Sequence, residues 1–196
     1  MRLVDRVLQR WRERKVFPWI GDGSRVLDIG CHQGEFLNRL GAKIQCSVGL
    51  DPLSAPTTMT RYTLVPEPFR EPLPYPNGSF DVVTMLATLE HIRDKAPLAR
   101  ECRRLLRRNG RVIITVPSPK VDSIVHTLVR LGLADGMSLD EHHGFDPRDT
   151  AELFSKEGFA VECHKSFQAG LNHLYVFSNE APPPERTANA LSSETA

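Results

Sequence analysis

The chain has 196 residues, 25 of them basic and 24 acidic, for a net charge of +1, and 40% are hydrophobic. That length suits one domain with a sizeable core, and the balanced charge supplies no overall field for nucleic acid or an anionic membrane. Four scattered cysteines (Cys31, Cys46, Cys102, Cys163) have neither CxxC pairing nor framework spacing, which argues against a disulfide scaffold and for a reducing, cytoplasmic setting. No apolar run approaches the roughly 18 residues of a membrane span, and the arginine-rich start lacks the apolar core of a signal peptide.

In chain order, residues 3–15 place Leu3, Val4, Val7, Leu8 and Trp11 at helical spacing, with Arg6, Arg10 and Arg14 on another face. The pattern predicts an amphipathic helix packed on the domain's edge; a basic helix lying on a membrane surface is the alternative. Strands are expected at 25–29, 44–50, Tyr62–Val65, Phe80–Leu86, 111–116, 159–164 and 172–177. Helices are expected at 34–40, 94–108, 121–133 and 149–157, with Asn109-Gly110 stopping the second of these. Pro66, Pro68, Pro72, Pro74 and Pro76 forbid a helix in the loop before Asn77-Gly78. Strands alternating with helices predict an α/β fold, a Rossmann-like open sheet of seven strands with helices on both faces. The last two strands are too close in sequence for a parallel crossover and must form an antiparallel hairpin. One domain over 1–179 is expected, followed by a disordered tail over 180–196 with its Pro182-Pro183-Pro184 run.

The run 26–34, VLDIGCHQG, carries the chemistry. An apolar strand enters a glycine turn, with Asp28 two residues before Gly30. A strand–turn–helix that seats a pyrophosphate draws in negative charge with its turn glycines and helix N-terminus. A carboxylate beside the turn repels phosphate and welcomes a cation, and the common cationic nucleoside cofactor is S-adenosylmethionine. The dinucleotide fingerprint also fails on spacing, because His32 and Glu35 occupy its next two glycine positions. Asp51 ends the second strand 21 positions after Gly30, where an acid can accept both ribose hydroxyls or cap a helix after Pro52.

The spacing Asp-x-Gly-x-x-x-Gly, together with FDVVTMLATLEHI over 80–92, resembles the class I S-adenosylmethionine-dependent methyltransferases, most closely their small bacterial members. The resemblance covers roughly 24–176. It implies that Asp28, Gly30, Cys31, His32, Gly34, Asp51, Pro52 and Leu86 hold S-adenosylmethionine, with Ala87 beside Leu86. Many relatives carry Gly where His32 stands, and a side chain there narrows the room beside the methionine portion. The usual Asp-Ala after the third strand is missing, so Phe69 is assigned to the adenine, or else to the core, with Glu67 or Arg70 at the base edge. It also implies that the N-terminal helix covers the cofactor.

Methyl transfer needs alignment of nucleophile and methyl, and a base only for a hydroxyl or protonated amine. His91, His142 and His143 are the candidates. No metal is expected: compared with the Glu-x-x-Glu-His-His set of small-RNA 2′-O-methyltransferases, Ala87 and Ile92 replace the first Glu and the second His. The arginines from Arg100 to Arg111 read as a solvated helix face or a surface for an acidic partner. The sequence thus predicts methylation of a small-molecule acceptor through O, N or C, without nucleic acid or a membrane span, and admits a homodimer. The segment 118–145 is expected to act as a lid. A non-catalytic S-adenosylmethionine-binding module or regulatory subunit is the alternative.

Overall fold

The computed structural model describes residues 3–118 and 146–179. The expected helix 121–133, the lid segment up to 145, His142, His143 and the tail lie outside the described residues.

Eight strands form one sheet in the order β3-β4-β2-β1-β5-β6-β8-β7. They are β1 Val26–Ile29, β2 Ser47–Leu50, β3 Thr57–Thr58, β4 Tyr62–Val65, β5 Phe80–Leu86, β6 Leu106–Pro117, β7 Ala160–Phe167 and β8 Asn172–Ser178. Strands β4, β2, β1, β5 and β6 run parallel, and β8 and β7 close the sheet as an antiparallel hairpin. The expected seven strands become eight because Thr57–Thr58 adds a short antiparallel edge to β4. A two-residue strand has too few positions for a periodic signal in sequence.

Among the described residues four helices accompany the sheet: α1 Leu3–Val16, α2 Glu35–Leu40, α3 Lys95–Leu105 and α4 Asp149–Lys156. The expected helix over 94–108 is shorter. Its last turn is given up because Leu106 pairs with Phe80 and starts β6, and Asn109 takes a positive φ of 61° where the strand bends.

Strand alternation sorts side chains to two faces. Leu27, Ile29, Val83, Met85, Val112 and Ile114 pack with Leu98, Cys102 and Leu105 of α3 and Phe154 of α4. Val26, Val82, Ile113 and Val176 pack with Val16, Ile20 and Leu37 on the other side. Asp28 and Thr84 share the second face, directly paired across β1 and β5.

One expectation for α1 is overturned. Val7, Leu8 and Trp11 are exposed, at 55%, 37% and 45%, whereas Glu13 and Val16 are buried. The apolar stripe does not form the contact face; Val16 joins the core instead, and Arg39 of α2 donates to the Glu13 carboxylate. Gln168, in the β7–β8 turn, donates to the Leu8 carbonyl at 3.0 Å.

Five of the six arginines from Arg100 to Arg111 find partners within the chain. Arg100 pairs with Glu157, Arg104 with Glu101, Arg107 with Asp81 and Arg111 with Glu162, at 2.6–3.2 Å, and Arg103 donates to the Glu157 carbonyl. Glu101 in turn accepts from the Leu73 backbone at 2.7 Å, which pins the proline-rich loop to α3.

Parallel strands order the crevice. The chain passes from β1 outward through β2 to β4 and then returns to β5 on the other flank of β1, so the connections diverge beyond the carboxyl end of β1. Gly30 forms the floor there with a φ of +79°, and a Cβ on it would lie 2.2 Å from Thr88 Oγ1. Gly30→Ala is expected to destabilise the protein by more than about 2 kcal/mol, from left-handed strain plus the clash. In a Thr88→Gly background the cost falls to the strain alone, about 1 kcal/mol. Equilibrium denaturation of the four variants measures both terms.

Candidate functional site at the carboxyl ends of the central strands

The turn after β1 is held by acceptors at every amide. Gly30 and Cys31 donate to the Leu50 carbonyl at 2.8 and 3.4 Å, and Gly34 donates to the Cys31 carbonyl at 2.9 Å. His32 N–H donates to Asp51 Oδ2 at 2.8 Å, and Gln33 N–H to Glu35 Oε2 at 3.2 Å. A phosphate-binding turn needs free amides. Here the amides are taken, two of them by carboxylates.

His32 adopts a φ of 50°, in the left-handed region that glycine occupies at least cost. Its ring does not fill the turn: it is exposed and meets Glu35 Oε1 at 3.0 Å. Cys31 faces the opposite way, buried in the core beside Gly49, and burial pushes its thiol pKa up. Gly34 carries a φ of +77°, and a Cβ there would lie 2.9 Å from Leu64, so only glycine brings α2 this close to the sheet.

Asp28 is 2% exposed and accepts a 2.6 Å hydrogen bond from Thr84 Oγ1. Burial raises its pKa to about 7; the Thr84 hydroxyl opposes this, while the charges of Glu13, Asp51 and Glu35 add to it. The charges of Glu13, Asp51 and Glu35 thus act on Asp28, and a cation beside it would lower the cost of its ionisation. Thr84 is absent from the sequence reading, although it is a polar residue inside the otherwise apolar stretch VVTML, and that interruption was its signal.

Asp51 does two jobs for the backbone. Besides holding His32 N–H, its Oδ1 accepts from Leu53 N–H at 2.8 Å. The helix after Pro52 that Asp51 was to cap is replaced by a turn at 52–54, whose Leu53 N–H it holds, and each oxygen keeps a second lone pair. Pro52 follows it on the surface. Leu86 is half-buried at the end of β5, and Ala87 turns the chain with a φ of 58°. Phe69 is half-buried and packs on the core formed by β1, β5 and α3, so its ring serves the core whatever else it touches. Glu67 and Arg70 are exposed.

After β5 comes a 3-10 turn, Leu89–His91, in which Leu89 and Glu90 are buried and His91 is half-buried. Burial lifts the Glu90 pKa to about 7, against the lowering effect of its own backbone N–H and of Arg12 and Lys95. Neither residue stands out in the sequence, since Glu90 lies within a longer motif and nothing in the helical pattern separates Arg12 from Arg10 or Arg14. Among the described residues no group of three or more His, Cys, Asp or Glu side chains could hold a metal ion, and no helix is long and apolar enough to cross a membrane.

The Asp28 shift fixes a pH dependence. Between pH of about 4 and about 7 the native carboxyl holds a proton that the unfolded chain has lost, so stability falls as pH rises through that window and levels off above it. Asp28→Asn should remove this component. At pH 8 its ligand-free form is expected to melt above the unaltered protein by at least about 4 °C, each kcal/mol being worth about 2–4 °C at this size. At pH 4 the two should coincide, and thermal scans across the range measure the difference.

A family model described as a methyltransferase domain matches residues 2–164. The chain is 30% identical over 158 residues to a ubiquinone biosynthesis O-methyltransferase of Nitrosococcus oceani, covering 71% of this chain and 65% of that protein. It is 31% identical over 150 residues to a probable S-adenosylmethionine-dependent methyltransferase of Mycolicibacterium smegmatis, covering 70% and 58%. The chain spans about half the length of the curated relatives it matches, 44% in the case of the ubiquinone biosynthesis O-methyltransferase of Pseudomonas aeruginosa. Among solved structures, the fold matches the putative methyltransferase complexed with the Haloferax volcanii Trm112 activator, with a TM-score of 0.69, 15% identity and coverage of 88% and 91%. With sheet order, glycine turn and family match in agreement, the chain belongs to the class I S-adenosylmethionine-dependent methyltransferase family.

Proposed function

We propose that this protein transfers a methyl group from S-adenosylmethionine to a small-molecule acceptor. The observation that carries the reading is the occupied turn after β1. Its amides bind Asp51, Glu35 and backbone carbonyls, and Asp28 stands buried beside it. Such a crevice repels a dinucleotide's phosphates and attracts a sulfonium and an ammonium.

The residues present fit that cofactor. Asp28 and the carboxylates around it face the positively charged methionine end, and Asp51 offers its outward lone pairs to the ribose hydroxyls. Gly30 and Gly34 allow backbone close to the ligand. Leu86, Ala87 and Phe69 supply apolar surface to the nucleoside, and Cys31, Pro52 and the His32 backbone shape the turn around it. When bound, S-adenosylmethionine supplies an activated methyl group, so the protein's task is alignment of the acceptor and, for a hydroxyl or protonated amine, removal of a proton. His91 stands on the turn facing that task, and its removal should slow turnover while leaving cofactor affinity intact.

The relatives named O-methyltransferases support oxygen as the acceptor atom. The charge balance and the internally paired arginines favour a small acceptor over nucleic acid, and the absence of a spanning helix among the described residues accords with a cytoplasmic enzyme. A homodimer is compatible with the exposed stripe on α1.

Calorimetric titration with S-adenosylhomocysteine and with NAD tests the reading. Binding of the first and not the second is expected. Asp51→Ala should weaken S-adenosylhomocysteine binding at least tenfold, about 1.4 kcal/mol. His32→Ala, which leaves the backbone bond to Asp51 in place, should change it less than twofold. A preference for the phosphate-bearing ligand overturns the proposal.

A further inference from the structure

Helix α1 and the turn after β5 shut two complementary polar atoms in together. Glu90 is 5% exposed, and its Oε2 is cut off from solvent with no hydrogen-bond partner among the described residues. Arg12 Nε, from the third turn of α1, is in the same condition. The two side chains act on each other through space, each charge favouring the other, yet no hydrogen bond or ion pair joins them. Lys95, which also acts on Glu90, donates its ammonium to the Ile92 carbonyl at 2.6 Å. The Glu90 carboxylate takes one hydrogen bond from its own backbone N–H, and Oε2 keeps its capacity.

Buried polar atoms in folded proteins are almost always paired, and those left over need an explanation. The location supplies one. Glu13, next to Arg12, lies close enough to Asp28 to raise its pKa and is bound by Arg39 of α2. With Gln168 holding the Leu8 carbonyl, α1 is tethered across the carboxyl ends of the strands. Glu90 follows Thr88, the residue packed against Gly30. Because β2 and β5 flank β1 on opposite sides, the Arg12–Glu90 gap and Asp51 lie on opposite flanks of the crevice. One flank serves the cofactor, and the other is left for the acceptor.

The chemistry of the gap is selective. Arg12 Nε–H only donates, and the Glu90 carboxylate, ionised above a pH of about 7, accepts. A carboxylate or phosphate placed between them meets repulsion from Glu90, and an ammonium meets repulsion from Arg12. An ether oxygen accepts from Arg12 but leaves Glu90 unpaired. A hydroxyl satisfies both through a single atom. We propose that Arg12 and Glu90 form the acceptor subsite of this enzyme and recognise a neutral hydroxyl group, Arg12 donating to its oxygen and Glu90 accepting its hydrogen. This rests on the methyltransferase reading and names the acceptor class for it. The subsite also disfavours the corresponding methyl ether, which has no hydrogen to give to Glu90.

The test is equilibrium binding to the full chain saturated with S-adenosylhomocysteine, followed by ligand-observed NMR. The probes are phenol, catechol and 1,2-cyclohexanediol, each against its methyl ether. At least one hydroxyl probe is expected to bind tenfold or more tightly than its ether. In Arg12→Met and in Glu90→Met the ratio should fall below threefold, with S-adenosylhomocysteine affinity within twofold of the unaltered protein. Since Met removes a buried carboxyl whose only hydrogen bond is to its own backbone N–H and whose Oε2 is unpaired, Glu90→Met should melt no lower than the unaltered protein. A lower melting point makes Glu90 a structural residue and overturns the proposal. Equal binding of hydroxyl and ether, binding by no hydroxyl probe, or unchanged discrimination in the variants means that the gap holds water alone and also overturns it. Each of these results leaves the cofactor reading standing, whereas failure of S-adenosylhomocysteine to bind the unaltered protein overturns both.

Discussion

The hydrogen bond from His32 N–H to Asp51 Oδ2 joins the ends of the first two strands and gives the crevice its electrical character. Two demands meet at that bond. The turn after β1 has a left-handed residue at 30, 32 and 34, and such a backbone persists only when its surroundings over-determine it. Its amides also form a natural concavity for an anion. By answering both demands with a carboxylate from the neighbouring strand, the chain fills the anion site with its own charge. What remains around the turn is acidic, and the same geometry that fixes the backbone sets the sign of the ligand.

Buried charge elsewhere in the site extends this logic. Asp28 and Glu90 are both drawn toward neutrality at ordinary pH, chiefly by burial. They differ in their neighbours. Asp28 has the Thr84 hydroxyl and three other carboxylates, an arrangement completed by a cation. Glu90 has an arginine held out of bonding distance, an arrangement completed by a group that both donates and accepts. Two acids of similar burial therefore stand in different surroundings.

Helix α1 links these halves. Its ties to Arg39, Gln168 and the vicinity of Glu90 are polar and Val16 anchors its last turn in the core, while Val7, Leu8 and Trp11 remain outside. A helix held by polar contacts and little buried apolar area belongs to the less stable elements of a fold, the part from which entrances to binding sites are drawn. Its sequence period nonetheless pointed to apolar packing. Periodicity reports which residues share a face; it does not report which face a sheet elsewhere in the chain will accept.

The sequence by itself determined the alternation of strands and helices, the antiparallel finish, and the acid–glycine spacing around residues 28–34, because these follow from local hydrophobic period, from loop lengths and from the limited backbone choices at glycine. Asp51 was legible from its place at the end of a strand, and Thr84 left a trace as a polar residue in a buried run. The tertiary structure decided the rest: that Leu106 leaves its helix for a strand, that Arg100, Arg107 and Arg111 find carboxylates on other elements, and that Arg12, 78 positions from Glu90 in the chain, comes close enough to act on its charge. Those outcomes depend on desolvation and on charges brought near by the fold, and a group's neighbours in space are set by the sheet order rather than by its neighbours in sequence.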